Sequence, residues 1–255
     1  MFRCYARIAT LVLLGLSSCL LHAADQAPAQ PPAEGKAIIL STAYGTTFDA
    51  YVAGPEDAKR GILIIHDRRG LGEQARNWAD RFAGLGYRAL AIDLYDGRYS
   101  NDPMLATRIM TSIDQEAANA DLKAGLDYLK APGRKIATFG WDYGGGQALW
   151  AALQDPEAVA ATVIYYGPLG TNRKVLRTLS MSTSVLGIFG KRDAWISPAK
   201  VSAFEDAMRE AGVPLTVAQF DADHGFTNPA SKSYSKVLAD EAWQKTEDFL
   251  SRHLE

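Results

Sequence analysis

Cysteine is nearly missing. The chain of 255 residues carries two, Cys4 and Cys19. Everything beyond residue 19 lacks the material for an internal disulfide, so its stability has to come from a packed core. An excess of charge of one sign is missing as well. The 27 Lys and Arg stand against 29 Asp and Glu, for a formal net charge of −2. A strongly basic surface of the kind that holds nucleic acid is therefore not indicated, and Arg173, Lys174 and Arg177 read as a solvated helix face. A long apolar run is the third absence. The stretch 11–21 falls short of the roughly 20 residues that a membrane-spanning helix needs. There is also no internal repeat, and no His/Cys spacing of the metal-binding kind.

What is present begins with a leader. Arg3 and Arg7 precede the apolar stretch, and the small residues Ala23 and Ala24 follow it. A basic start, a short apolar middle and a small-residue end form the layout of a secretory signal peptide, 1–24. The chain is therefore expected in the periplasm. Leu16-Ser17-Ser18-Cys19 also matches a bacterial lipobox. On that alternative the leader ends near residue 18 and a lipid on Cys19 is the sole membrane contact. Residues 25–35, with Pro28, Pro31 and Pro32, read as an extended tether.

From residue 36 to 255 strands and helices alternate. Strands are expected at 38–41 and 47–52 (an opening hairpin), 61–65, 88–92, 135–139, 161–165, 184–189 and 215–220. Helices are expected at 77–85, 113–130, 145–153, 198–211 and 234–254. Pro198 behind Ser197 is a proline at the first helical position with a capping serine before it. Such alternation gives one α/β domain with a mostly parallel central sheet covered by helices on both faces.

The stretch Phe139-Gly140-Trp141-Asp142-Tyr143-Gly144-Gly145-Gly146 reads as a strand, a tight glycine-rich turn and a helix. This is the shape of a nucleophile elbow, Gly-x-Nu-x-Gly, with Asp142 where a serine or cysteine usually stands. A nucleophile needs a base, and the base an orienting acid. In the α/β-hydrolase order these follow as acid and then histidine. Asp193 comes after strand 184–189 and His224 after strand 215–220. Both lie just past the carboxyl ends of strands, where open α/β sheets place their ligand sites. Trp141 and Tyr143 flank the aspartate, either packing under the elbow or donating a hydrogen bond to a bound molecule. Tyr165 and Tyr166 read as core and strand-end packing.

Six pieces together resemble the dienelactone hydrolase family: His66-Asp67-Arg68-Arg69-Gly70-Leu71, the segment Gly86 to Tyr95, the elbow, Ile164-Tyr165-Tyr166-Gly167, Gly190 to Asp193, and His224-Gly225-Phe226. The resemblance implies a single α/β-hydrolase domain that cleaves esters or lactones with a Cys-His-Asp triad and neither metal nor cofactor. It places Asp142 at the nucleophile, His224 at the base and Asp193 at the orienting acid. It also implies an oxyanion hole from the backbone N–H groups of Tyr143 and Arg68, with Asp67 and Arg69 close by. Three departures follow from the comparison. Aspartate replaces the cysteine. Asp67 replaces a glutamate. Asn228 stands where the family has an arginine for the substrate carboxylate, and a second such arginine is either Arg98 or lost to Gly97.

A carboxylate attacking an ester forms an anhydride and must expel a far more basic alkoxide. Three working readings of Asp142 remain: a nucleophile at a saturated carbon, as in dehalogenation; a base pair with His224 acting on water; or an inert replacement in a binding protein that kept the fold. The segment 167–183 is too short for a cap domain. The expected partner is a small-molecule substrate, and the expected state is a monomer.

Overall fold

Gly61-Ile62-Leu63-Ile64-Ile65 is apolar throughout because its strand is covered on both faces. The computed structural model describes residue 1 and residues 35–179 and 183–255. In it β3 (Arg60–Ile65) sends Ile62 and Ile64 into one core and Leu63 and Ile65 into the other. Met1 and Gly35 apart, the leader, the lipobox Cys19 and the tether lie outside the described residues.

Eight strands form one sheet in the order β1-β2-β4-β3-β5-β6-β7-β8. β1 (Lys36–Ser41) and β2 (Thr47–Ala53) make the opening hairpin. β2 also pairs antiparallel with β4 (Tyr87–Ile92). From β4 across the sheet every pairing is parallel, through β3, β5 (Lys135–Trp141), β6 (Val159–Tyr165), β7 (Ser184–Gly190) and β8 (Leu215–Phe220). Parallel neighbours require crossovers, and helices supply them. α1 (Glu73–Gly84) and α7 (Lys236–Leu254) put Phe82 and Phe249 into the core of one face. α3 (Gln115–Leu129), α4 (Tyr143–Gln154) and α6 (Pro198–Ala211) put Leu122, Leu149 and Phe204 into the core of the other.

Several details of the helices depart from the sequence reading. An additional helix, α2 (Pro103–Thr111), precedes α3; the Asp102 side chain accepts the Leu105 N–H at 2.7 Å, and proline opens the first turn. α3 itself starts two residues late, at Gln115, because Asp114 caps it by accepting from Glu116 and Ala117. Ser197 sits at the N-cap of α6, but its side chain makes no capping hydrogen bond. Between β6 and β7 the described chain forms only α5 (Arg173–Leu176) and a short 3-10 turn, Arg177–Leu179. There is accordingly no cap domain among the described residues. Arg173, Lys174 and Arg177 are exposed there, with Arg173 paired to Glu210 at 2.7 Å.

Candidate active site

One residue, Asp142, joins β5 to α4. Its backbone sits at φ 54°, ψ −126°, a region that costs a non-glycine residue on the order of 1–3 kcal/mol and persists only where the surroundings impose it. Here they do. The Asp142 N–H donates to the Tyr165 carbonyl and its own carbonyl accepts from the Gly145 N–H, both at 3.0 Å. The glycine spacing has a steric cause. A Cβ on Gly140 would lie 2.0 Å from the Gly144 carbonyl oxygen, and one on Gly144 would lie 2.2 Å from that of Ile65. Only glycine lets α4 start this close to β5 and β3.

The carboxylate that this corner lifts meets two cations. His224 Nε2 lies 3.3 Å from Asp142 Oδ1, and Arg68 Nη1 lies 3.5 Å from Asp142 Oδ2. On the far side of the imidazole, His224 Nδ1–H donates to Asp193 Oδ2 at 2.7 Å. The Asp193 side chain is fully buried. Its other oxygen accepts the N–H groups of Trp195 at 2.7 Å and Ile196 at 2.9 Å, so the backbone of the loop after β7 itself holds the acid in place.

These contacts set the charges. Burial works against a protonated His224. The hydrogen bonds and negative charges of Asp142 and Asp193 outweigh it and push the imidazole up to about 9. For Asp193, burial favours the neutral acid, yet the His224 hydrogen bond and the Ile196 and Trp195 N–H groups hold it below its ordinary value. With its imidazole raised to about 9, His224 is an imidazolium at neutral pH, set between Asp142 and Asp193.

A cleft of ≈ 580 Å³ opens onto this row, bordered by Asp142, Tyr143, His224 and Arg68. The Asp142 and His224 side chains keep 17% and 21% of their surface exposed, enough to meet a ligand. Tyr143 lies at the first position of α4, where a backbone N–H has no partner one turn back. Its phenol is pushed up to about 12 by burial. Trp141 is buried against Trp78 and Phe139, and its indole N–H has no hydrogen-bond partner among the described residues.

Not every residue picked out by sequence reaches the cleft. Asp67 is buried and turned to Arg69, whose Nε and Nη2 donate to it at 3.0 and 2.8 Å; Arg69 also donates to Gln74. The two side chains thus satisfy each other within their own loop. Arg98 donates to the Tyr95 carbonyl at 2.8 Å and to Ser112 Oγ at 3.3 Å, and it does not border the cleft. Asn228 accepts the Ala230 N–H at 2.9 Å within its own turn and does not border it either. No cluster of three His, Cys, Asp or Glu suited to a metal occurs among the described residues.

The sequence reading missed several contributors. Thr107 and Met110 of α2 form part of the cleft wall. Trp195 stands over His224, ring centroids 5.0 Å apart, and under the Arg68 guanidinium at 5.3 Å. Tyr166, at φ 37°, packs edge-on against His224 at 5.0 Å and shares a hydrogen bond with Thr227 at 2.8 Å. The aspartate and proline that open α2 were a visible signal. The roles of the two aromatics depend on packing that no local pattern encodes.

Comparison with known proteins agrees with this fold. The dienelactone hydrolase family model matches residues 48–254. Protein usf of Aquifex pyrophilus is 26% identical over 222 residues, spanning 82% of this chain and 95% of that protein. A protein assigned as a carboxymethylenebutenolidase in Saccharolobus solfataricus is 25% identical over 255 residues, spanning 82% and 95%. Among solved structures, m3DLH superposes with a TM-score of 0.78 at 24% identity, over 88% of this chain and all of that one, 100%. The dienelactone hydrolase-like promiscuous phosphotriesterase P91 from metagenomic libraries superposes with a TM-score of 0.76 at 22% identity, over 86% and 99%. These two structures share the fold. A match running from β2 to the last turn of α7, over a sheet and elbow built this way, makes the chain a member of the dienelactone hydrolase family of hydrolases.

Proposed function

We propose that the chain hydrolyses small esters or lactones, with Asp142 as the base on water and protonated His224 as the acid. The observation that carries this reading is the direct Asp142–His224 contact at 3.3 Å, with His224 held protonated by a carboxylate on each side. Asp142 takes a proton from water as the water oxygen bonds to the carbonyl carbon. The carbonyl oxygen becomes an oxyanion facing the Tyr143 and Arg68 N–H groups. Collapse breaks the bond to the alcohol, whose oxygen takes the His224 Nε2 proton. Asp142 then returns its proton to His224, closing the cycle.

The charge balance favours one further reading. Alkylation of Asp142 by a saturated carbon with a good leaving group removes one of the two charges that keep His224 protonated. The freed imidazole then serves as base for hydrolysis of the alkyl ester.

A single turnover in ¹⁸O-water separates the two routes. Label entering the product directly supports the water route. Label entering Asp142 first, read by mass spectrometry, supports the alkyl ester and overturns the water route. Asp142→Asn should lower kcat/KM by roughly 10²–10⁴-fold on the true substrate. If wild type cleaves no ester, lactone or haloalkane while Asp142→Cys cleaves esters, the chain is a silent binding protein. We also propose export to the periplasm. N-terminal sequencing of the processed protein tests this, with a start near Asp25 expected and a lipidated Cys19 the membrane-anchored alternative.

A further inference from the structure

Beside the catalytic cleft lies a second one of ≈ 520 Å³. Tyr143, Pro168, Leu169 and Thr171 border both, so the two adjoin along the elbow and the loop after β6. Their linings differ in kind. The catalytic cleft presents Arg68, Asp142, Lys200 and His224. The second is lined by no charged side chain, and Leu149, Trp150, Leu153 and Val175 form much of its wall. Its neutral polar side chains include Tyr143, Thr171 and Asn172 and the amides of Gln115 and Gln147, which donate to each other at 3.0 and 2.9 Å. Amides satisfied in this way place no demand on a ligand, whereas a charged ligand would lose its hydration there without a counter-ion.

Each cleft alone lies within the range of about 300–1,000 Å³ that holds a drug-sized molecule. A small lactone needs no more than the catalytic cleft and leaves the other empty. Resting on the hydrolase reading above, we infer that the second cleft is a subsite for a neutral apolar arm, a medium-length alkyl chain attached to the ester or lactone that reacts at Asp142. The substrate class thereby narrows to esters and lactones with a hydrocarbon tail.

Gly170 offers a way to close the subsite. It borders the second cleft alone, and a Cβ built there meets nothing within 4 Å. Two ester series test the inference, one lengthening the acyl chain and one the alcohol chain from two to ten carbons. In one of them the wild-type kcat/KM should rise by up to about fourfold per methylene. Gly170→Leu should bring the long-to-short ratio close to one. Unreactive alkan-2-ones of the same lengths, followed by tryptophan fluorescence, provide a readout without turnover. Their affinity should rise with length in wild type and stop rising in Gly170→Leu. Graded ketone binding without turnover supports the subsite and overturns only the proposed reaction. Flat turnover and flat binding in wild type, or a gradient that Gly170→Leu leaves intact, overturns the subsite.

Discussion

Two histidines sit near carboxylates among the described residues, and they do opposite things. His66 is fully buried and uses both ring nitrogens on the backbone. Its Nδ1–H donates to the Asp67 carbonyl at 2.7 Å, and Nε2 accepts the Leu94 N–H at 3.1 Å. Asp93 lies 3.5 Å from that Nε2, but a nitrogen already accepting an N–H carries no proton to share, so this is a structural contact rather than an ion pair. His66 ties the loop that carries Arg68 to the end of β4. His224 uses both nitrogens on carboxylates and keeps part of its ring open to the cleft. The difference teaches that proximity of a histidine to an aspartate does not by itself set its role; whether the second ring nitrogen is taken by the backbone or faces a cleft separates the two.

The comparison breaks most visibly in activity. His224→Gln should lower kcat/KM by roughly 10²–10⁴-fold while the urea midpoint near pH 9.5 stays close to wild type. His66→Ala should instead destabilise the fold by about 2–5 kcal/mol. It leaves the Leu94 N–H and Asp67 carbonyl buried without partners, and urea unfolding measures the loss. If His66→Ala is as stable as wild type, the structural role assigned to it is wrong.

A smaller effect sharpens the contrast through pH. The folded His224 value of about 9 lies above its ordinary 6.5. Its contribution is fully present below about 6.5 and disappears as pH rises through about 9. At about 1.4 kcal/mol per unit, a loss on the order of a few kcal/mol is expected between those limits. Asp142→Asn removes one of the raising carboxylates and should shrink that loss, with the imidazole NMR titration moving back toward 6.5. The proposed reaction needs the protonated ring, so kcat/KM should hold through neutrality and fall above about pH 9. A thiol–imidazole pair would rise with pH instead. The smallest effect belongs to Arg98→Ala, a surface change expected within about 0.5 kcal/mol in stability and without effect on kcat/KM.

Much of this site was legible in the chain because it rests on local constraints. The elbow needs glycine at 140 and 144 for close approach; Asp193 follows the apolar run of β7, and His224 follows β8, whose Leu215, Val217 and Phe220 are interspersed with polar residues. The fold was legible for the same reason: buried parallel strands alternate with amphipathic helices. α2 escaped because it buries only Ala106 and Ile109, too few positions to show a period against the neighbouring α3. Arg98 and Asn228 were aligned by position along the chain, but loop geometry, which family spacing does not encode, turns both away. Trp195 and Tyr166 gain their places from strands distant in sequence.

The elbow has one more consequence, and it concerns chemical durability. A thiolate held at such a corner is open to peroxide, which takes it through sulfenic to sulfinic and sulfonic acid and ends its reactivity. A carboxylate has no such ladder to climb. With aspartate at position 142 and no cysteine after residue 19, an oxidant strong enough to silence a sulfur nucleophile leaves this carboxylate chemically unchanged.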